Sequence, residues 1–221
     1  MIPLRDSEPT NKFPLITVGI ILANVLVFII EFTEVNLDAF FQTYALVANQ
    51  ISLTNLASLT RFISSQFLHG GVIHLLSNMW FLWIFGDNVE DRLGKIRFLI
   101  FYLLGGIIAG LSQFLFLLGT DVPMLGASGA VAGVLGAYLI LFPRHKIDTI
   151  IPLGYYVTRA KLPAQIVLLF WFISQLFSGT AALATTTAAM GGVAWFAHIG
   201  GFVFGILTVK LLRPKPHIIL R

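Results

Sequence analysis

VPMLGASGAVAGVLGAYLILFP, residues 122–143, carries no charge from end to end and holds Gly-Ala-Ser-Gly near its start. A helix needs roughly 20 apolar residues to cross about 30 Å of hydrocarbon at about 1.5 Å per residue. The run therefore reads as a membrane span. Ser128 falls at the start of its helical part, and Ser128 to Phe142 covers only about 22 Å. The expectation is a short helix whose start is sunk below the outer surface, in a water-filled cavity.

Working outward from this stretch, further uncharged runs lie at Phe13 to Ile30, Phe62 to Gly86, Phe98 to Thr120 and Leu162 to Val209. The last is long enough for two helices, split by the small and polar SGTAALATTTAAMGG (Ser178 to Gly192) acting as a surface turn. The predicted fold class is an all-α polytopic membrane protein, with six transmembrane helices in a compact bundle and a short, sunken fourth helix. The first span lacks a small-residue cleavage site after it and reads as a retained signal anchor. Residues 1–12 are expected to form a short cytoplasmic tail, 13–212 the membrane domain and 213–221 a second cytoplasmic tail.

Composition agrees. With 57% hydrophobic and 11% charged residues and a mean hydropathy of +0.89, the 221 residues have too little polar surface for a soluble globule. There is no cysteine, which excludes a thiolate nucleophile, a cysteine metal site and a disulfide. No cofactor or metal is expected. The chain is basic, with a pI near 9.6, but its basic residues come as short clusters between apolar runs. That pattern is a topology signal rather than a nucleic-acid surface.

Arg5 and Lys12 precede span 1, and Arg92, Lys95 and Arg97 lie between spans 2 and 3. Arg144, Lys146, Arg159 and Lys161 separate spans 4 and 5, and Lys210, Arg213, Lys215 and Arg221 follow span 6. Six spans with both termini inside put every cluster on the cytoplasmic side; Arg61 alone is left over. The cell membrane is the expected location, with the site opening outward. The long loop 31–68 is expected to lie on the membrane interface.

Polar groups inside the membrane are costly and mark candidate sites. Span 2 contains HGGVIHLLSN, with His74 and Asn78 one turn apart on one face. Span 6 contains WFAHIGGFVFG, with His198 just past Trp195. Counting upward from the cytoplasmic ends, Ser128 lies about 21 Å up span 4, His198 about 18 Å up span 6 and His74 about 18 Å up span 2. The three share one layer. Ser128 at a helix N-terminus meets free N–H groups and a dipole that favour an oxyanion. Gly129 with Gly133, and Gly201 with Gly205, form GxxxG stripes that let spans 4 and 6 approach closely. A serine beside a histidine base is an activated nucleophile.

Plainer readings compete. Gly-x-Ser-Gly in a glycine-rich helix serves packing, and His198, His74 and Asn78 serve as interhelical hydrogen-bond partners. His69 reads as a solvated loop residue, while His145 and His217 belong to basic segments. A transporter path through Ser128 and His198 needs two mouths, yet the inner halves of spans 4 and 6 (AYLILF, GILTV) are apolar apart from Thr208. The coincidence of depth favours chemistry.

At these residues the chain resembles the rhomboid family of intramembrane serine proteases. The likeness rests on His69, His74 and Asn78 in span 2, on Gly126 to Gly129, and on His198 with Gly201 and Gly205. Gly86, Glu90 and Gly94 match the family's GxxxExxxG element. The resemblance covers about residues 13 to 212. It implies Ser128 as nucleophile and His198 as general base, then acid. It also implies an oxyanion site from His74, Asn78 and the Ser128 N–H, with Gly126 among the glycines that allow close approach. Substrates would be transmembrane segments of other proteins in the lipid bilayer, with span 5 and the loop before Trp195 gating access. The alternative is a non-catalytic rhomboid-like binder of membrane-protein clients. The sequence departs from the family in two places. Thr60-Arg61 stands where Trp-Arg is common. Ala132 stands where an aromatic commonly stacks on the histidine, so either another ring packs there or His198 is held less tightly.

Overall fold

The computed structural model describes residues 1–7, 10, 12–184 and 192–213. Its body is a helical bundle. The main helices are α1 (Leu15–Thr33), α5 (Val72–Leu93), α6 (Lys95–Phe114), α7 (Ser128–Leu141), α8 (Ala164–Ala184) and α9 (Trp195–Leu212). Short helices α2 (Leu37–Tyr44), α3 (Leu56–Leu59) and α4 (Arg61–Ser64) fill the connection between α1 and α5. Among the described residues, α1, α6, α8 and α9 are long and apolar enough to cross a membrane. The pair Leu56–Phe67 and Val72–Leu93, bent by 82°, adds a fifth when taken as one span. The chain is a multi-pass membrane protein.

Large apolar side chains face outward, as expected where lipid is the solvent. On α8, Ile166, Leu169, Phe170, Ile173, Leu176 and Phe177 form an exposed stripe at helical spacing, opposite buried Ala164, Val167, Leu168 and Gln175. The core is aromatic and aliphatic, centred on Phe85, Phe98, Phe101, Tyr102, Tyr138 and Phe202, each fully buried. The Tyr138 ring meets Phe85 edge-on at 5.0 Å.

Three boundaries depart from the sequence expectation. The second span begins at Val72 rather than Phe62 and runs through GDNVEDRL to Leu93. Charge inside this helix is tolerated because Glu90 is used up in a contact. Its carboxylate accepts from the Ile16 N–H at 3.0 Å, the Thr17 N–H at 2.8 Å and the Thr17 hydroxyl at 2.8 Å. Those N–H groups are orphans of the first turn of α1, whose N-cap residue, Pro14, supplies no side-chain cap. A carboxylate there also meets the positive end of the helix dipole. Gly94, at φ 82°, ends α5 and lets α6 start at once. The third departure is the expected turn at Ser178 to Gly192: it is helical as far as Ala184, and residues 185–191 lie outside the described residues.

The all-helical expectation needs a larger correction. Residues Ile2–Asp6 form strand β1, Lys146–Leu153 form β4 and Tyr156–Pro163 form β5, in an antiparallel sheet ordered β1-β4-β5. The supposed tail therefore pairs with the α7–α8 connection, Ile2 opposite Ile150 and Asp6 opposite Ile147. The sheet sits at the end of the bundle where α1 and α8 begin and α7 ends. Asp148 ties its three strands together. Arg159 on β5 binds its carboxylate with Nε at 2.7 Å and Nη2 at 2.5 Å, and Arg5 on β1 approaches at 3.4 Å. These cations, the Arg159 hydrogen bond foremost, hold the Asp148 carboxyl below the usual aspartate range. The tail is further fixed by Asp6, which accepts from Asn88 at 2.8 Å and from the Tyr138 hydroxyl.

A second, two-stranded sheet pairs β2 (Leu46–Val47) with β3 (Pro123–Met124). It pins the loop that precedes α7 against the long first connection. That connection is less superficial than expected, since Ala45, Leu46, Val47 and Ala48 are buried. Arg61, the leftover cation, hydrogen-bonds Gln50, which in turn donates to Gln42 at 2.7 Å. The C-terminal residues 214–221, including His217, Lys215 and Arg221, lie outside the described residues.

Candidate active site

The site begins with a seam of glycines. A Cβ added at Gly201 would sit 2.0 Å from the Gly129 carbonyl oxygen, and one at Gly205 would sit 2.0 Å from that of Gly133. Helices α7 and α9 thus touch backbone to backbone. The burden is not shared evenly along α7. A Cβ at Gly133 would meet the Gly201 oxygen at 3.4 Å, an ordinary contact, whereas at Gly136 it would lie 2.1 Å from the Phe202 oxygen. Gly136 is therefore a close-approach residue that the four-residue spacing did not single out. Gly129 is instead crowded by Ala109 of α6, at 2.5 Å.

This seam carries Ser128 and His198 to one cavity of about 630 Å³. Ser128 is the first residue of α7, and no side chain caps that helix at Ala127. A helix start without a side-chain cap leaves its first-turn N–H groups without intrahelical partners. His74, Ser77 and Asn78 of α5 and Trp171 of α8 line the same cavity. Gly126, at φ 124°, makes this arrangement possible. A Cβ there would lie 2.8 Å from His74 Nε2 and 3.7 Å from Ser128 Oγ. The left-handed backbone and the bare α-carbon let the His74 ring close over the serine loop.

Asn78 is buried at 6% exposure, and its amide Nδ2 finds no acceptor among the described residues. An unpartnered buried donor costs about 1–3 kcal/mol, so it asks for an acceptor that arrives with a ligand. A developing oxyanion is one such acceptor.

His198 is also buried, at 9% exposure. Among the described residues the structure draws no hydrogen bond between it and Ser128. Its Nδ1 lies 2.7 Å from Oε1 of Gln175, on α8. Trp171 packs against the ring at 5.8 Å between centroids, and Trp195 meets it edge-on at 6.2 Å. Rings from α8 and α9 thus flank His198 where Ala132 gives none.

His69 is not a solvated loop residue. It is 1% exposed, its ring meets His74 edge-on at 5.1 Å, and neither ring nitrogen has a partner among the described residues. Its backbone N–H donates to Glu31 Oε1 at 2.8 Å, which draws the end of α1 and the start of α5 together. Sequence reasoning missed Gln175, Trp171 and Gly136. Gln175 carried a usable signal, as an amide in the middle of a largely apolar span.

The molecule so described is a membrane-embedded helical bundle with a serine and a histidine lining a shared cavity. A family model described as Rhomboid domain matches residues 56–215. RHOMBOID-like protein 4 of Arabidopsis thaliana is 34% identical over 157 residues, covering 71% of this chain and 35% of that protein. Rhomboid-like protein 11, chloroplastic, from the same plant is 28% identical over 182 residues, covering 81% and 61%. Rhomboid protease GluP of Bacillus subtilis (strain 168) is 42% identical over 79 residues, covering 36% and 15%. The chain belongs to the rhomboid family. It spans less than two thirds of the length of these relatives.

Proposed function

We propose that this chain is an intramembrane serine protease that hydrolyses peptide bonds in or near transmembrane segments of other membrane proteins. The observation that carries this reading is the shared cavity. It places a serine at an uncapped helix start, a histidine with one ring nitrogen already engaged, and an unpartnered amide donor around the same space.

In this reading α1, α5, α6, α7, α8 and α9 are six spans. Helix α7, at 14 residues, is the short one, with Ser128 below the outer surface. The basic end with its sheet faces the cytoplasm, and the cavity opens to the other side. That orientation rests on the lysine and arginine distribution. Relatives named as mitochondrial and chloroplastic mean that family membership does not choose the membrane; the cell membrane is our reading, and the charge bias sets only which side faces inward.

His198 Nε2 takes the Ser128 proton as Oγ attacks the scissile carbonyl carbon, which requires the two side chains to close to hydrogen-bond distance in the substrate complex. The new oxyanion accepts from the Asn78 amide, the His74 ring and the Ser128 N–H. The imidazolium then gives its proton to the departing amine, leaving an acyl ester on Ser128. Water, deprotonated by the same His198, hydrolyses that ester. Neither step uses a carboxylate.

The open Ser128 to His198 contact gives weight to a second reading, a rhomboid-like binder that retains client helices without cutting them. One experiment separates the two. Detergent-solubilised protein is treated with a serine-directed covalent probe and, separately, given a model transmembrane substrate. Labelling and cleavage are expected, with Ser128→Ala reducing cleavage by at least about 1,000-fold. Cleavage that persists in the variant overturns the proposal. Absence of both labelling and cleavage in the wild type, with client helices co-purifying, establishes the binder.

A further inference from the structure

The His198 ring is held from α8, a helix that otherwise presents an apolar stripe to lipid. Gln175 is the exception on its inward face, 6% exposed. Its amide orientation follows from its neighbours. Nε2 lies 3.0 Å from Ser174 Oγ and 3.4 Å from the Trp171 carbonyl oxygen, which only accepts. Turning the amide over would set two oxygens against each other. Oε1 therefore faces His198 Nδ1 at 2.7 Å. A carbonyl oxygen only accepts, so Nδ1 carries the proton and donates it, which leaves Nε2 with its lone pair.

We infer that Gln175 is a positioning residue that locks His198 in the Nδ1–H tautomer and aims Nε2 at the cavity where Ser128 lies. This rests on the proteolytic reading for its consequence, but the tautomer itself does not. The amide takes the place that a buried carboxylate holds in soluble serine hydrolases. It orients the base without adding a charge that the membrane interior would penalise. Trp171, one turn earlier on α8, packs on the same ring. The docking of α8 thus supplies both the hydrogen bond and the ring contact that hold the base.

The test uses the full chain in detergent, comparing wild type with Gln175→Leu, Gln175→Met and Gln175→Glu. Ring nitrogen NMR of labelled histidine, assigned with His198→Ala, reads the tautomer directly. Wild type is expected to show Nδ1–H for His198, and the Leu and Met variants a mixture. On a model transmembrane substrate, kcat is expected to fall about 10- to 100-fold with KM within twofold. That is less than the roughly 10⁴-fold seen when a charged orienting partner is lost. Gln175→Glu, which keeps the acceptor, is expected to recover at least a third of wild-type kcat. An unchanged tautomer in whichever of the Leu or Met variants folds, or a folded Glu variant as slow as that one, overturns the inference. Failure of the proteolytic reading shows separately, as cleavage that survives Ser128→Ala, and leaves the tautomer measurement decisive.

Discussion

Helices α7 and α8 both pack against α9, and they do so by opposite means. The α7–α9 contact is backbone on backbone, with no room for a methyl group at Gly201, Gly205 or Gly136. The α8–α9 contact is made by side chains: Phe172 stacks on Phe202 at 4.5 Å between centroids, Trp171 approaches Phe202 and His198, and Gln175 reaches the His198 ring. Close-packed backbones have no alternative fit, since any separation opens a void along the whole seam. Rotatable side chains are more forgiving. The difference teaches that Ser128 and His198 are mounted on the close-packed part of the molecule, whereas the groups that contact the His198 ring from α8 come from the adaptable part.

Three experiments break or sharpen that contrast. The largest effect is expected from Gly201→Ala, whose added methyl group would lie 2.0 Å from a backbone oxygen. Overpacking of this kind costs typically about 1–3 kcal/mol, and forced separation of two backbones belongs at the upper end or beyond. Thermal unfolding in detergent measures it, and a variant as stable as wild type would show the seam to be looser than described.

A smaller effect is expected at the sheet that leads into α8. Arg159 and Arg5 hold the Asp148 carboxyl below its ordinary value of 3.8, so its stabilising contribution is fully present above that value. It is lost as pH falls through the lowered folded-state value. Asp148→Asn is therefore expected to unfold at a lower temperature than wild type at neutral pH, and the gap is expected to narrow in acid. A gap independent of pH would mean that the ion pairs do not hold the strands.

The smallest effect is expected on the lipid-facing side of α8. Ile173→Ala truncates an exposed side chain, 48% accessible. Unfolding in detergent is expected to change by no more than about 0.5 kcal/mol. A loss above 2 kcal/mol would place this face in a protein contact.

Much of this was legible in the chain because membrane residence writes itself into composition. Uncharged runs gave the six main helices to within a few residues at most ends, and Gly-Ala-Ser-Gly put Ser128 at a helix start, where it stands. The clear failures have one cause. The end of span 2 is not legible because GDNVEDRL carries charge, and only the contact with α1 reveals that Glu90 caps that helix from across the bundle. Strand β1 is not legible because IPLRD has no periodicity of its own and acquires its conformation from a hairpin more than 140 residues away. The burial of His69 is not legible because glycines follow it in sequence, while its neighbours in space are Glu31 and His74.

The sequence by itself determined the membrane class, the helical segments and the residues able to carry acyl-transfer chemistry, because hydropathy, charge and residue type are local properties summed along the chain. Only the tertiary structure decided which residues hold the His198 ring. The pairing of Gln175 and Trp171 with His198 depends on how α8 rotates against α9, and a rotation of one helix about its axis leaves no trace in its hydropathy. The same holds for the sheet. Hydrogen bonds between distant strands are set by where the folded bundle brings their ends, and no stretch of either strand contains that information.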